Sequence, residues 1–182
     1  MLLAIDIGNT NVHIGVFSQK TLACSCRLST DSRRLEDEYG HTMTSVLDLK
    51  GITPECITSA VICSVVPPLS SRFEDVCKSY FGVSPLIVST GIRTGVRIRY
   101  DNPRDVGSDR IVDAVAAYRL YGGPTIVVDF GTATVFDAIS KEGDYIVVYI
   151  LTGIDVYVIL KSFNNLLKLQ HKVIIHHFNK IL

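Results

Sequence analysis

Short apolar runs closed by turn-forming clusters set the rhythm of the N-terminal part of the chain. Residues 2–7 (LLAIDI) are apolar but for one aspartate and stop at Gly8, Asn9 and Thr10, which predicts a buried strand followed by a tight turn. Residues 11–17 (NVHIGVF) carry alternating apolar positions and predict its hairpin partner, and residues 21–29 (TLACSCRLS) predict a third strand. The period then changes. Leu35, Tyr39, Met43, Val46, Leu47 and Leu49 recur at helical spacing, with Asp31 or Ser32 as the expected N-cap and Gly51 as the stop.

The middle of the chain alternates in the same way. Residues 58–65 (TSAVICSV) predict a buried strand stopped by Pro67 and Pro68. Residues 69–81 predict a helix ending before Gly82, and residues 85–89 a short strand. Residues 91–107 are rich in turn formers. Residues 109–121 predict a further helix, with Ser108 as N-cap and Gly122 and Gly123 as the stop.

The next segment, TIVVDFGTATVFDAIS, repeats the pattern of the N-terminus. Val128, Asp129, Phe130 and Gly131 match Ile5, Asp6, Ile7 and Gly8, and Thr132, Ala133, Thr134 and Val135 match Asn9, Thr10, Asn11 and Val12. A repeat of a whole strand–loop–strand unit is a fold-level signal. It predicts an α/β protein of two facing domains, residues 1–115 with the first loop and residues 116–182 with the second.

Composition narrows the function classes. The chain is 47% hydrophobic and 20% charged, an ordinary globular balance. Lys and Arg number 18, as do Asp and Glu, so neither a nucleic acid nor a membrane surface is the expected partner. The apolar stretch at residues 145–160 is broken by Thr152, Gly153 and Asp155 and falls short of the ~20 residues a membrane span needs. The N-terminus has no basic leader and no small-residue cleavage site, so a cytoplasmic protein is expected. Five cysteines at irregular spacing fit reduced thiols. Cys24 and Cys26 share a strand face, as packing residues rather than a zinc pair.

The repeated loop has a chemistry of its own. A glycine two residues after the strand-ending Asp can take a positive φ and lets backbone approach a ligand. Successive amides in such a turn make an anion-binding concavity. The Asp carboxylate suits a hard cation that bridges phosphate oxygens. One such loop is adequately explained as a plain Asx hairpin turn. Two copies, each after an apolar strand, favour phosphate binding and an ATP-dependent small-molecule kinase. Between them, residues 100–110 (YDNPRDVGSDR) are dense in charge and turn formers. There Asp109 falls in a first helical turn, where the macrodipole favours a carboxylate, and Arg110 can pair with an anion.

These residues resemble the type III pantothenate kinases of the actin-like superfamily. Asp6, Ile7, Gly8, Asn9, Thr10 and Asn11 look like that family's first phosphate loop. Asp101, Asn102, Pro103 and Arg104, followed by Gly107, Ser108, Asp109 and Arg110, look like its acceptor segment. Asp129, Phe130, Gly131, Thr132, Ala133 and Thr134 look like its second loop. The resemblance implies duplicated actin-like (ribonuclease H-like) domains, the second incomplete. It implies phosphorylation of pantothenate by ATP with Mg²⁺ and a monovalent cation, potassium or ammonium, in a homodimer. It makes Asp109 the general base. Phosphate contacts would come from Asp6, Ile7, Gly8, Asn9, Thr10, Asn11, Val12, His13, Gly131 and Thr132, with Asp6 positioning the magnesium–phosphate unit. Asp129 would bind the monovalent cation. Tyr100, Gly107, Ser108, Asp109 and Arg110 would line the pantothenate pocket.

After about Tyr145 the resemblance decays: Val147 and Val148 stand where the family has paired glycines, and Leu151 and Thr152 where it has Ala-Pro. The chain is shorter than the family, so residues 145–151 are expected to expose an apolar face and a strand edge, and nucleotide affinity is expected to fall. The alternative function is then a catalytically impaired relative that acts as a binding protein.

Overall fold

Leu3, Ile5 and Ile7 alternate along the first strand and are almost wholly buried, as the apolar run predicts. The computed structural model describes residues 1–89, 91–99, 102–130, 134–151 and 172–176, and at 104, 147–151 and 172–176 it describes the backbone alone. The chain divides into two units, Met1–Ser89 and Thr90–Ile181.

In the first unit β1 (Leu2–Ile7), β2 (Asn11–Ser18) and β3 (Thr21–Ser29) form an antiparallel meander. Helix α1 (Glu36–Asp48) then crosses over to β4 (Ser59–Ser64), parallel to β1 on its other side. Helix α2 (Pro67–Phe81) follows, and β5 (Leu86–Ile87) adds a short parallel edge to β4. The sheet order is β3-β2-β1-β4-β5. Pairings Leu3–Val16, Ile5–Ile14 and Ile7–Val12 put all six side chains on one sheet face. That face belongs to the core, together with Tyr39, Met43 and Leu47 of α1 and Leu69, Phe73 and Val76 of α2. The Tyr39 and Phe73 rings meet with centroids 4.6 Å apart.

Two helix starts differ from expectation. α1 begins at Glu36, and neither Asp31 nor Ser32 caps it; Leu35 is the N-cap residue. The Asp31 carboxylate is engaged locally, accepting the Arg33 N–H at 2.9 Å. Glu38 instead takes the Leu35 N–H at 2.8 Å, and Glu36, Asp37 and Glu38 complement the helix dipole. α2 begins at Pro67 rather than Leu69, because proline has no N–H to lose in a first turn. Its stop is as expected: Gly82 adopts φ 67°, the left-handed conformation glycine takes without strain.

The second unit opens with a strand that the turn-rich composition hid, β6 (Arg97–Ile98). Helix α3 (Ser108–Tyr121) packs on β7 (Thr125–Phe130) and β8 (Thr134–Ile139). β9 (Asp144–Leu151) completes an antiparallel meander, and β10 (Lys172–His176) runs parallel to β7. The order is β10-β7-β8-β9-β6. Read from β9, the sequence β9-β8-β7-β10 repeats β3-β2-β1-β4: a meander of three, with a fourth strand parallel to the first on its far side. The duplicated α/β architecture is therefore present in the strand order itself. Among the described residues the second unit has no counterpart of β5. β6 covers the edge of β9 at its first two residues, Asp144 and Tyr145. Tyr145 is buried and Ile146 half exposed; the side chains of residues 147–151, on which the rest of the expected apolar exposure falls, lie outside the described residues.

Candidate functional site

The first Asp-x-Gly loop joins β1 to β2. Asp6 stands opposite His13 on β2 and Cys63 on β4, and His13 stands opposite Arg27 on β3. These four residues make a row across the sheet on the face opposite the Leu3, Ile5 and Ile7 core. Burial, and then the Arg27 charge, hold the His13 imidazole below its ordinary value, so it is neutral at physiological pH. Ile7 and Val12 are fully buried.

Gly8 is needed for space rather than for a positive φ, since its φ is not left-handed. Its N–H donates to the Asn11 carbonyl at 3.0 Å, and a Cβ there would sit 3.2 Å from the same oxygen. Thr30, just past β3, pins the loop from outside. Its hydroxyl donates to the Gly8 carbonyl at 2.7 Å and its N–H to the Thr10 carbonyl at 3.0 Å. Two carbonyl dipoles are thereby occupied, which suits a loop that must present positive ends to an anion. Asn9 and Thr10 remain exposed.

In the second unit Asp129 occupies the penultimate position of β7. The register of the two hairpins differs. Asp6 pairs with His13, seven positions on, whereas Asp129 pairs with Val135, six on. Gly131 and Thr132 lie outside the described residues, as does Tyr100.

The segment that resembles the family's acceptor segment carries one tight turn before α3. Pro103–Asp105 form a single 3₁₀ turn tied by the Asn102 amide, which donates to Asp105 at 2.9 Å, and buried Val106 anchors its end. α3 then starts with Gly107, not Ser108, as N-cap. The Asp109 carboxylate folds back over the helix start, and its Oδ1 accepts the Arg110 N–H at 2.9 Å. A Cβ at position 107 would collide with that same Oδ1, so glycine there gives the carboxylate its room. Ser108, Asp109 and Arg110 are all partly exposed.

Sequence reasoning missed what lies beneath this segment. Asp137 on β8 is fully buried in the middle of an apolar strand, and the Tyr145 hydroxyl donates to its Oδ1 at 2.6 Å. Arg110 Nη1 lies 3.8 Å from the same oxygen. Burial pushes the Asp137 carboxyl up to about 6, against the pull of Tyr145 and Arg110, while the charges of Asp109 and Asp129 push it further up. Burial and the Asp137 charge likewise raise the Tyr145 phenol. The available signal was Asp137 itself, a carboxylate at a strand position where every close neighbour in sequence is apolar. Nearby, Asp144 accepts from Arg97 Nε at 2.7 Å and Arg99 Nε at 2.8 Å.

Among the described residues no group of three or more His, Cys, Asp or Glu side chains is arranged to hold a metal, and no helix is long and apolar enough to cross a membrane. Asp6 and Asp129 are single carboxylates. That donor set fits cations that complete their shells with phosphate, carbonyl or water oxygens.

A family model described as type III pantothenate kinase matches residues 2–168. The chain is 50% identical over 153 residues to a type III pantothenate kinase of Dehalococcoides mccartyi, covering 84% of this chain and 59% of that protein. With the type III pantothenate kinase of Myxococcus xanthus it shares 48% identity over 156 residues, 86% of this chain and 61% of that protein. The chain thus spans about 60% of the length of these curated relatives. A solved Sinorhizobium meliloti protein, described as a candidate 2-dehydro-3-deoxygalactonokinase, matches 82% of this chain and 53% of its own with a TM-score of 0.50. At 11% identity that likeness concerns the fold alone.

Proposed function

The chain belongs to the type III pantothenate kinase family, and on that premise we propose that it transfers the γ-phosphoryl group of ATP to the hydroxyl of pantothenate, giving ADP and 4′-phosphopantothenate at the entry to coenzyme A synthesis. The observation that carries this reading is the Asp109 carboxylate, held at the start of α3 by the Arg110 N–H and 28% exposed. Asp109 takes the proton of the acceptor hydroxyl as the O–P bond to the γ-phosphorus forms and the bridging O–P bond to ADP breaks. Phosphoryl transfer passes through a loose transition state, so positioning the hydroxyl matters more than deprotonating it early. A first-turn carboxylate fixed by the Arg110 N–H suits that task.

Asp6 would hold Mg²⁺ together with phosphate oxygens, and Gly8, Asn9, Thr10 and Asn11 would meet the phosphates through the loop that Thr30 pins. Magnesium supplies charge neutralisation on the transferring group. His13, held below its ordinary value, puts no positive charge beside Asp6 to compete with the cation. Asp129 would hold a potassium or ammonium ion, and Gly131 and Thr132 would contact phosphate. Gly107, Ser108, Arg110 and Tyr100 would receive pantothenate. The protein acts as a cytoplasmic homodimer in this reading.

The second reading is a catalytically impaired relative that binds ligands without turnover. The two readings separate on ADP release from ATP, Mg²⁺ and potassium, with and without pantothenate. A pantothenate-dependent rate that falls by ~10²–10⁴-fold in Asp109→Asn supports the kinase. Absence of any pantothenate-dependent ADP leaves the binding protein.

A further inference from the structure

Arg110 is an awkward residue to find unassisted at a substrate site. Its side chain is 16% exposed, and its Nη1 is buried with no hydrogen-bond partner among the described residues. Its charge is balanced at a distance: Asp109 Oδ2 lies 3.8 Å from Nε and Asp137 Oδ1 lies 3.8 Å from Nη1. Neither contact is a hydrogen bond at that length. The guanidinium is therefore placed by charge between two carboxylates, one on its own helix and one on the sheet below.

The lower carboxylate is the rigid one. Asp137 has no exposure, and its Oδ1 is fixed by the Tyr145 hydroxyl, itself on a buried residue of the adjacent strand. β8 and β9 are paired here, so both side chains are tied to one ladder. Asp137 Oδ2 has no hydrogen-bond partner among the described residues. A buried carboxylate so sparsely bonded is a poor stabiliser, since its desolvation offsets what a long ion pair returns. Its contribution is to direction.

We propose that Asp137, held by Tyr145, is a positioning residue that fixes the Arg110 guanidinium at the start of α3 and thereby sets the acceptor-binding geometry beside Asp109. The proposal rests on the kinase reading for the identity of the acceptor, but not for the geometry. Asp137 touches no substrate and acts through Arg110. Tyr145 acts through Asp137, so the two are one unit. Removing both disturbs the site no more than removing Asp137 alone.

The test uses the full chain and three readouts. Asp137→Asn keeps the acceptor for Tyr145 but removes the charge. Tyr145→Phe removes only the hydroxyl. The Arg110 Nε–Hε resonance, assigned with Arg110→Lys, reports the guanidinium. Calorimetry reports pantothenate affinity, and thermal melting reports stability. The expected result is a displaced or broadened Arg110 signal in both variants. Pantothenate affinity drops about tenfold in Asp137→Asn, as for loss of a charged interaction. The double variant binds as Asp137→Asn does, and the melting temperature of Asp137→Asn is unchanged or raised. A merely structural role lowers stability and affinity together, and that pattern overturns the proposal. An unmoved Arg110 signal in both variants overturns it as well, as does wild-type pantothenate affinity in Asp137→Asn. If the unsubstituted chain binds no pantothenate, the kinase reading falls, and the Arg110 signal and the melting temperature still decide the positioning role.

Discussion

The Thr30 hydroxyl donates to the Gly8 carbonyl over 2.7 Å, tying the end of β3 to the loop that leaves β1. The contact reaches across two strands of the meander and fixes the loop from outside. Thr30→Val keeps the shape and deletes the bond, leaving a part-buried carbonyl unsatisfied. The expected cost is about 1 kcal/mol in urea denaturation, with a weaker affinity for Mg-ADP. Thr30→Ser restores both. Equal behaviour of the Val and Ser variants would show that the hydroxyl does not hold the loop.

Gly40 and Tyr80 offer a test by reversal of sign. Gly40 lies on the buried face of α1, and a Cβ there would run into the Tyr80 ring. The ring cannot swing aside freely, because its hydroxyl donates to Asp37 at 2.6 Å. Gly40→Ala should therefore destabilise by about 1–3 kcal/mol, despite the better helix propensity of alanine. In a Tyr80→Ala background the clash is gone, and the same substitution should stabilise by up to about 1 kcal/mol. Destabilisation in both backgrounds sinks the steric account.

Much of this was legible in the sequence because one face of each sheet is buried. The alternation of Leu3, Ile5 and Ile7 and of Val12, Ile14 and Val16 fixes strand, face and register together, and the repeated Asp-x-Gly loop announces the duplication. Helix starts were less legible, because side-chain capping competes with local turns. Asp31 is a good cap by type, yet it serves Arg33. Strand β6 escaped because two residues carry no period, and Arg97 and Arg99 are polar for a reason that lies far along the chain at Asp144. The residues of the candidate site that touch ligands by analogy could be read from motifs. For Asp137 the sequence carries only a carboxylate among apolar neighbours, and its meeting with Tyr145 and Arg110 comes from a ladder and a helix coming together, which no local pattern encodes.

Asp144 gathers β6 onto β9. It accepts from both Arg97 and Arg99, which hold its carboxyl below the ordinary range, Arg99 most strongly. The folded value is depressed, so this contribution is present above the ordinary 3.8 and is lost as pH falls through the folded value. The Arg99 N–H, bonded to the Tyr145 carbonyl at 2.8 Å, is the local reporter. Asp144→Asn should accelerate hydrogen exchange at that amide relative to wild type at one fixed neutral pH, with amides of β1 and β2 unaffected. Unchanged exchange at Arg99 would mean that the backbone pairing alone holds β6.

Asp137 gives the opposite sign and a separate window. Its folded value is raised from 3.8 to about 6, with burial as the leading cause. Between those values the folded state binds more protons than the unfolded chain, so stability falls as pH rises through the window and stays low above it. A rise of that size amounts to roughly 3 kcal/mol between about pH 4 and about pH 7.5. His13 works against it, because a lowered imidazole lets stability rise with pH below the ordinary 6.5. The raw pH profile therefore understates Asp137. The difference between wild type and Asp137→Asn isolates it, because His13 and the exposed carboxylates are common to both chains. That difference, measured by urea denaturation at each pH, should be small near pH 4. It should grow in favour of Asn towards neutrality and level off above the folded value. A flat difference across the window would mean that Tyr145 and Arg110 already compensate the buried charge.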